Sequence, residues 1–94
     1  MKSYPKHKRW KSPKYLEYVR QQSCIIPSCN CQAEPHHYIT RGAGGGDEYA
    51  MPLCREHHTA IGNMGRDTFF KGYGLDPYQE LFILVSGYLK QEEL

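Results

Sequence analysis

Apolar and polar positions along this chain of 94 residues change period, and the changes mark its elements. Residues 1–12 show no periodicity and read as an extended arm, with Pro5 inside it and Pro13 just after. Beyond the arm, Tyr15, Leu16, Tyr18 and Val19 give one apolar side at helical spacing. They predict a helix from Pro13 or Lys14 to about Gln22, with Ser12 as its cap and Pro13 at the first helical position, where the missing N–H costs nothing. The last helix is predicted over about residues 76–91. Asp76 caps it, Pro77 takes the first helical position, Gln79 completes a capping box, and the run ELFILVSGYLK supplies a buried face.

The middle of the chain reads differently. SCIIPSCNCQAEP packs Cys, Pro, Ser and Asn densely enough to predict a tight turn region that holds cysteine sulfurs close together. HHYIT is strand-like, RGAGGGDE a loop and YAMPL a second short strand, which together predict a hairpin. CREHHTAIGN starts a helix after Cys54 with helix-tolerant residues up to Gly62, and GRDTFFKGYG forms another short helix that stops at a glycine. The fold class is therefore α+β, as one domain over residues 13–94.

Size and composition add a constraint. A domain of this length buries only about 60–65% of the surface its unfolded chain exposes, so it needs a staple. Four cysteines offer two kinds, disulfides or thiolate ligands. The first residues carry no apolar core of a secretory signal, and no later run approaches a membrane span. The expectation is a cytoplasmic protein without a membrane partner, in a reducing compartment where metal ligation is favoured. Charge is lopsided: residues 1–20 hold seven Lys/Arg against one Glu, whereas residues 21–94 hold five against nine acids. With Tyr4, Trp10, Tyr15 and Tyr18 interleaved, the basic block suits a phosphate backbone and stacking on bases. Lys8, Arg9, Trp10 and Lys11 are its candidate DNA contacts, although a solvated tail has the same composition.

The nitrogen and sulfur ligands form two clusters, Cys24, Cys29 and Cys31 upstream, and Cys54, His57 and His58 downstream. Structural zinc takes four Cys or His ligands paired within two short segments. Cys54 and His57 make one C-x-x-H pair. Cys24 with Cys29 makes the other, because Pro-Ser-Cys gives a natural knuckle, and Cys31 is the alternative to Cys29. Such a Zn²⁺ would clamp the segment before the hairpin to the helix after it. In a strand, neighbours point to opposite faces, so His36 and His37 should not ligate one ion together. His36 is the candidate metal ligand, and His37 faces an adjacent volume that a substrate can occupy.

EPHHYI, the glycine loop with its acids, and MPLCREHH together resemble the HNH endonuclease motif, in which two antiparallel strands and a helix (ββα-metal) grip one divalent ion. More narrowly, residues 24–76 are similar to small phage and prophage HNH nucleases, including those of the recombination-enhancing type. The resemblance implies a zinc-stapled ββα-metal core at about residues 24–63 with flanking helices. It implies an endonuclease that hydrolyses DNA phosphodiesters to 5′-phosphate and 3′-hydroxyl ends, nicking one strand as a monomer. It makes His37 the general base, near neutrality well placed to take a proton from water, and His36 and His58 ligands of a catalytic Mg²⁺ or Mn²⁺. The motif's third ligand position falls at Gly62, with Asn63 beside it as the candidate donor. The motif's asparagine before the second strand is absent, and Asp47, next to Glu48, stands in to orient the base. Around this centre Arg41, and after it Arg55 and Arg66, are candidates to reach phosphate oxygens, although a surface arginine is as often solvated or ion-paired; Gly42, Gly44, Gly45 and Gly46 either let nucleic acid approach closely or simply leave the hairpin loop flexible. The rival reading is a non-catalytic zinc module that binds nucleic acid.

Overall fold

A computed structural model describes residues 9–92, so Lys8 lies outside the described residues. Six elements follow in order: α1 (Pro13–Arg20), β1 (Glu34–His37), β2 (Ala50–Leu53), α2 (Arg55–Met64), α3 (Arg66–Tyr73) and α4 (Pro77–Glu92). The class is α+β, with one two-stranded sheet and four helices. No described helix is long and apolar enough to cross a membrane.

The hairpin is antiparallel, pairing Glu34 with Leu53, Pro35 with Pro52, His36 with Met51 and His37 with Ala50. β1 starts two residues earlier than the HHYIT pattern predicts. The ladder accommodates this because the Tyr38 N–H donates to the Tyr49 carbonyl at 2.9 Å, which puts residues 34, 36 and 38 at hydrogen-bonding positions. Pro35 and Pro52 then face each other at the intervening position, where neither needs a donor. On the outer edge of β2, the Pro52 carbonyl accepts from the Ile25 N–H at 2.8 Å. That bond docks the cysteine-bearing turn against the sheet.

All four residues of β2 are buried, because apolar clusters lie on both of its sides. Met51 and Leu53 join Ile26, Tyr38, Ile61, Phe69, Phe70 and Leu81. Ala50 joins Tyr15 and Val19 of α1 and Tyr88 of α4.

Local signals set most helix ends. Ser12 Oγ accepts from the Tyr15 N–H at 3.1 Å, and Asp76 Oδ1 accepts from the Tyr78 and Gln79 N–H groups at 3.0 and 3.4 Å. α2 runs through Gly62 and stops only at Gly65, whose φ of 87° suits glycine. α1 is shorter than predicted, ending at Arg20. The largest difference concerns α4: its apolar run buries Leu81 and Tyr88 but leaves Phe82 72% exposed, with Ile83 and Leu89 also facing outward. The helix packs on β2 and α1 along one side, so among the described residues part of the predicted buried face is left uncovered.

Candidate functional site

Two turns and the start of α2 build the first half of the site. Ser28, at φ 67°, turns the chain so that the Cys29 N–H donates to the Ile26 carbonyl at 3.0 Å. The turn aims the Cys24 and Cys29 sulfurs at Cys54, the cap of α2, and at His57 on its first turn. The four ligand atoms all lie within 4.8 Å of one another. His57 Nδ1 is 3.2 Å from Cys54 Sγ and 3.5 Å from Cys24 Sγ, and the Cys29 and Cys54 sulfurs are 3.9 Å apart. A tetrahedral zinc with sulfurs at ~2.3 Å requires them about 3.8 Å apart, close to the Cys29–Cys54 separation, so the tetrad can hold a metal such as zinc. Burial pushes the Cys24 thiol up to about 11, while the backbone N–H of Cys31 draws Cys29 down. Metal binding would therefore displace the proton that burial holds on Cys24. Cys31 is exposed and outside the tetrad, and none of the four thiols is in a disulfide.

The next residue of α2, His58, faces β1 instead. Its ring centroid lies 4.7 Å from that of His36, edge to face. His58 Nδ1 donates to Glu34 Oε1 at 2.6 Å, and Arg55 holds the other carboxylate oxygen at 3.2 Å. Glu34 and His36 share a face of β1 because they are two residues apart. Burial, followed by the nearby His58 and His37, pulls the His36 value down to about 4, so its imidazole is neutral and free to donate a lone pair at physiological pH.

His37 turns the other way, as strand alternation requires. Its Nε2–H donates to Asp47 Oδ1 at 2.9 Å, with both side chains largely buried. Burial alone would raise the Asp47 value, but His37, the Ser12 N–H and Arg41 together hold its carboxyl below the ordinary range. The arrangement fixes the His37 tautomer and leaves Nδ1 with its lone pair free. His36, His37 and His58 nonetheless open onto one cleft of about 260 Å³, which Gly62 and Arg66 also line. Arg66 is held there by the Tyr38 carbonyl at 2.8 Å and lies over the Tyr38 ring. Asn63 is exposed and does not line the cleft.

Asp47 also anchors residues 10–12. Its Oδ2 accepts from the Ser12 N–H at 2.8 Å, and its own N–H donates to the Trp10 carbonyl at 2.9 Å. The close approach depends on glycine: a Cβ on Gly46 would meet Glu48 Oε1 at 2.0 Å and Trp10 N at 3.0 Å, and one on Gly45 would meet the Ile39 carbonyl at 1.9 Å. Gly45 and Gly46 therefore serve contacts within the protein, and only Gly42 and Gly44 face open space. Arg9 donates to the Arg41 carbonyl at 2.7 Å, and Arg41 is 62% exposed beside Asp47 at 3.6 Å. With exposed Lys11 they form a basic rim about Trp10.

Sequence reasoning missed Glu34. The available signal was its spacing, two residues before His36 and so on the same strand face. It also missed the contact between residues 10–12 and Asp47, for which a separation of 35 residues leaves no local trace.

Comparison with known proteins adds kinship without adding an activity. A relative in Escherichia coli (strain K12), described as "Uncharacterized protein YdfU", is 40% identical over 63 residues, which cover 61% of this chain and 18% of the relative. The chain thus spans about a fifth of the curated relative it matches. No solved structure matches it significantly. The family described as "Protein of unknown function (DUF968)" matches residues 1–84, and on that coverage the chain belongs to it.

Proposed function

We propose that the chain is a metal-dependent endonuclease of the HNH type that hydrolyses DNA phosphodiesters. The observation that carries this reading is the 2.9 Å bond between His37 and Asp47, with His37 lining the same cleft as His36 and His58. A carboxylate that fixes one ring nitrogen leaves the other as a proton acceptor, the arrangement general-base catalysis needs. His37 Nδ1 takes a proton from a water, the resulting hydroxide attacks phosphorus, and the bond to the 3′-oxygen breaks. Arg66, locked by Tyr38, is positioned to meet a phosphate oxygen in the cleft.

His36 and His58 are the residues that would hold a divalent ion: both line the cleft with ring centroids 4.7 Å apart, and the Glu34 bond to His58 Nδ1 leaves Nε2 as its ligand nitrogen. Two imidazole donors suit Mn²⁺ and other transition ions better than Mg²⁺, with waters and phosphate oxygens completing the shell. When bound, such an ion supplies Lewis-acid stabilisation of the charge developing on the phosphate and the leaving oxygen.

One observation favours the second reading, a zinc-stapled module that binds nucleic acid without cutting it. Where a third protein ligand would stand there is Gly62, and Asn63 points elsewhere than the cleft. Plasmid nicking by the zinc-loaded chain with Mn²⁺ or Mg²⁺, compared with His37→Ala, separates the two. The nuclease reading expects nicking that the variant loses while it still binds DNA; an inert wild-type chain supports the module.

A further inference from the structure

A second cavity, separate from the cleft, has Asp47 in its wall. It holds about 330 Å³, between residues 9–16, the glycine loop and Arg41. That volume is at the lower end of small-ligand pockets, ~300–1,000 Å³, and suits one nucleotide-sized group. Its floor is apolar, from Trp10, Pro13 and Leu16, and its rim is cationic, from Arg9, Lys11 and Arg41.

Trp10 is the feature that chooses the ligand. Trp10 is 38% exposed, and Tyr15 and Tyr88 brace its ring, with centroids at 5.2 and 6.4 Å and planes tilted by 44° and 62°. Its backbone is pinned to Asp47. The result is a rigid aromatic platform under a ring of positive charge, which matches the flat face of a base joined to a phosphate. A base inside a duplex has both faces covered by its neighbours and can offer only its edge. A base that has left the stack can offer its face.

We propose that this cavity receives one unpaired nucleotide of a DNA strand, its base stacked on Trp10 and its phosphate held by Arg41 and Lys11. The preferred substrate is then single-stranded or locally melted DNA. The proposal rests on the nuclease reading for its purpose, since Asp47 forms both a wall of this cavity and the support of His37. A strand seated on Trp10 is thereby delivered to the cleft.

Trp10 is the only tryptophan in the chain, so its fluorescence reports the cavity directly. Zinc-loaded full-length protein, with no divalent ion added, is titrated with single strands of about ten nucleotides, with the corresponding blunt duplex, and with thymidine 5′-monophosphate. The single strand is expected to quench Trp10 and to bind about tenfold more tightly than the duplex, the order that one base–aromatic stack contributes. Arg41→Ala should weaken that binding severalfold, and Trp10→Ala should abolish the preference for single strands. Equal binding of both forms without quenching overturns the proposal, as does a mononucleotide that quenches at the same concentration as the strand. Wild-type quenching decides the matter even if Trp10→Ala does not fold. Quenching without any plasmid cleavage sinks the nuclease reading and leaves the cavity; duplex cleavage without quenching does the reverse.

Discussion

Glu34 Oε1 accepts a 2.6 Å hydrogen bond from His58 Nδ1 across the gap between β1 and α2. This bond decides which nitrogen of His58 is free, and the Arg55 guanidinium on the other carboxylate oxygen keeps the carboxylate from rotating away.

Glu34→Ala should therefore lower Mn²⁺ affinity at the His36–His58 pair by about 10- to 100-fold, the usual cost of losing such a support. Glu34→Gln, whose amide oxygen still accepts from Nδ1–H, should lose less. Titration calorimetry of the zinc-loaded protein with Mn²⁺ checks both, and equal affinities in all three proteins would remove Glu34 from the account.

The tetrad makes a stoichiometric prediction. Elemental analysis should find one zinc per chain, retained in Cys31→Ser and lost in Cys24→Ser and Cys54→Ser. Because Cys24 and Cys29 tie the turn to α2, stripping the metal with a strong chelator should unfold much of the chain, seen as lost helical circular dichroism. Zinc lost from Cys31→Ser but kept in Cys29→Ser would reassign the fourth ligand.

Stability should fall with acid in two stages. His36 is pulled from 6.5 to about 4, and Asp47 is held below its ordinary 3.8. Both folded values lie below the unfolded ones, so the unfolded chain takes up protons first as the pH drops. Stability present at neutral pH is lost through His36 between 6.5 and about 4, and through Asp47 below 3.8. Melting temperatures across pH should decline less steeply in His36→Asn over the upper window and in Asp47→Asn over the lower one. Slopes identical to wild type would contradict this.

The glycines of the loop should respond unequally. Gly45→Ala drives a Cβ into the Ile39 carbonyl, an atom of the backbone that cannot step aside, and should cost about 2 kcal/mol or more. Gly42→Ala meets nothing within 4 Å and should stay within ~0.5 kcal/mol. Denaturant midpoints of the two variants give the comparison.

What could be read in advance follows the range of each signal. Caps at Ser12 and Asp76 and the C-x-x-H pair of Cys54 and His57 are encoded within a few residues, and each element forms close to where its signal lies. That His36 and His37 face opposite sides of β1 follows from strand alternation. Asp47 was legible as a candidate partner of His37, but its grip on Trp10 and Ser12 is long-range and silent in the pattern. Hydrophobic periodicity also overstated α4, because an apolar face shows only that a helix can be buried there. Phe82 and Leu89 stay exposed among the described residues.

The central claim is that His37, oriented by Asp47, activates water in a metal-assisted cut. It is tested most directly by supercoiled plasmid incubated with zinc-loaded protein and Mn²⁺, wild type beside His37→Ala, across a range of pH. The account predicts nicked plasmid from the wild type at a rate that rises with pH as the base loses its proton. It predicts no nicking by His37→Ala, which still folds and binds DNA. Wild-type protein that leaves the plasmid intact with every divalent ion, or a His37→Ala variant that nicks at the wild-type rate, would contradict it.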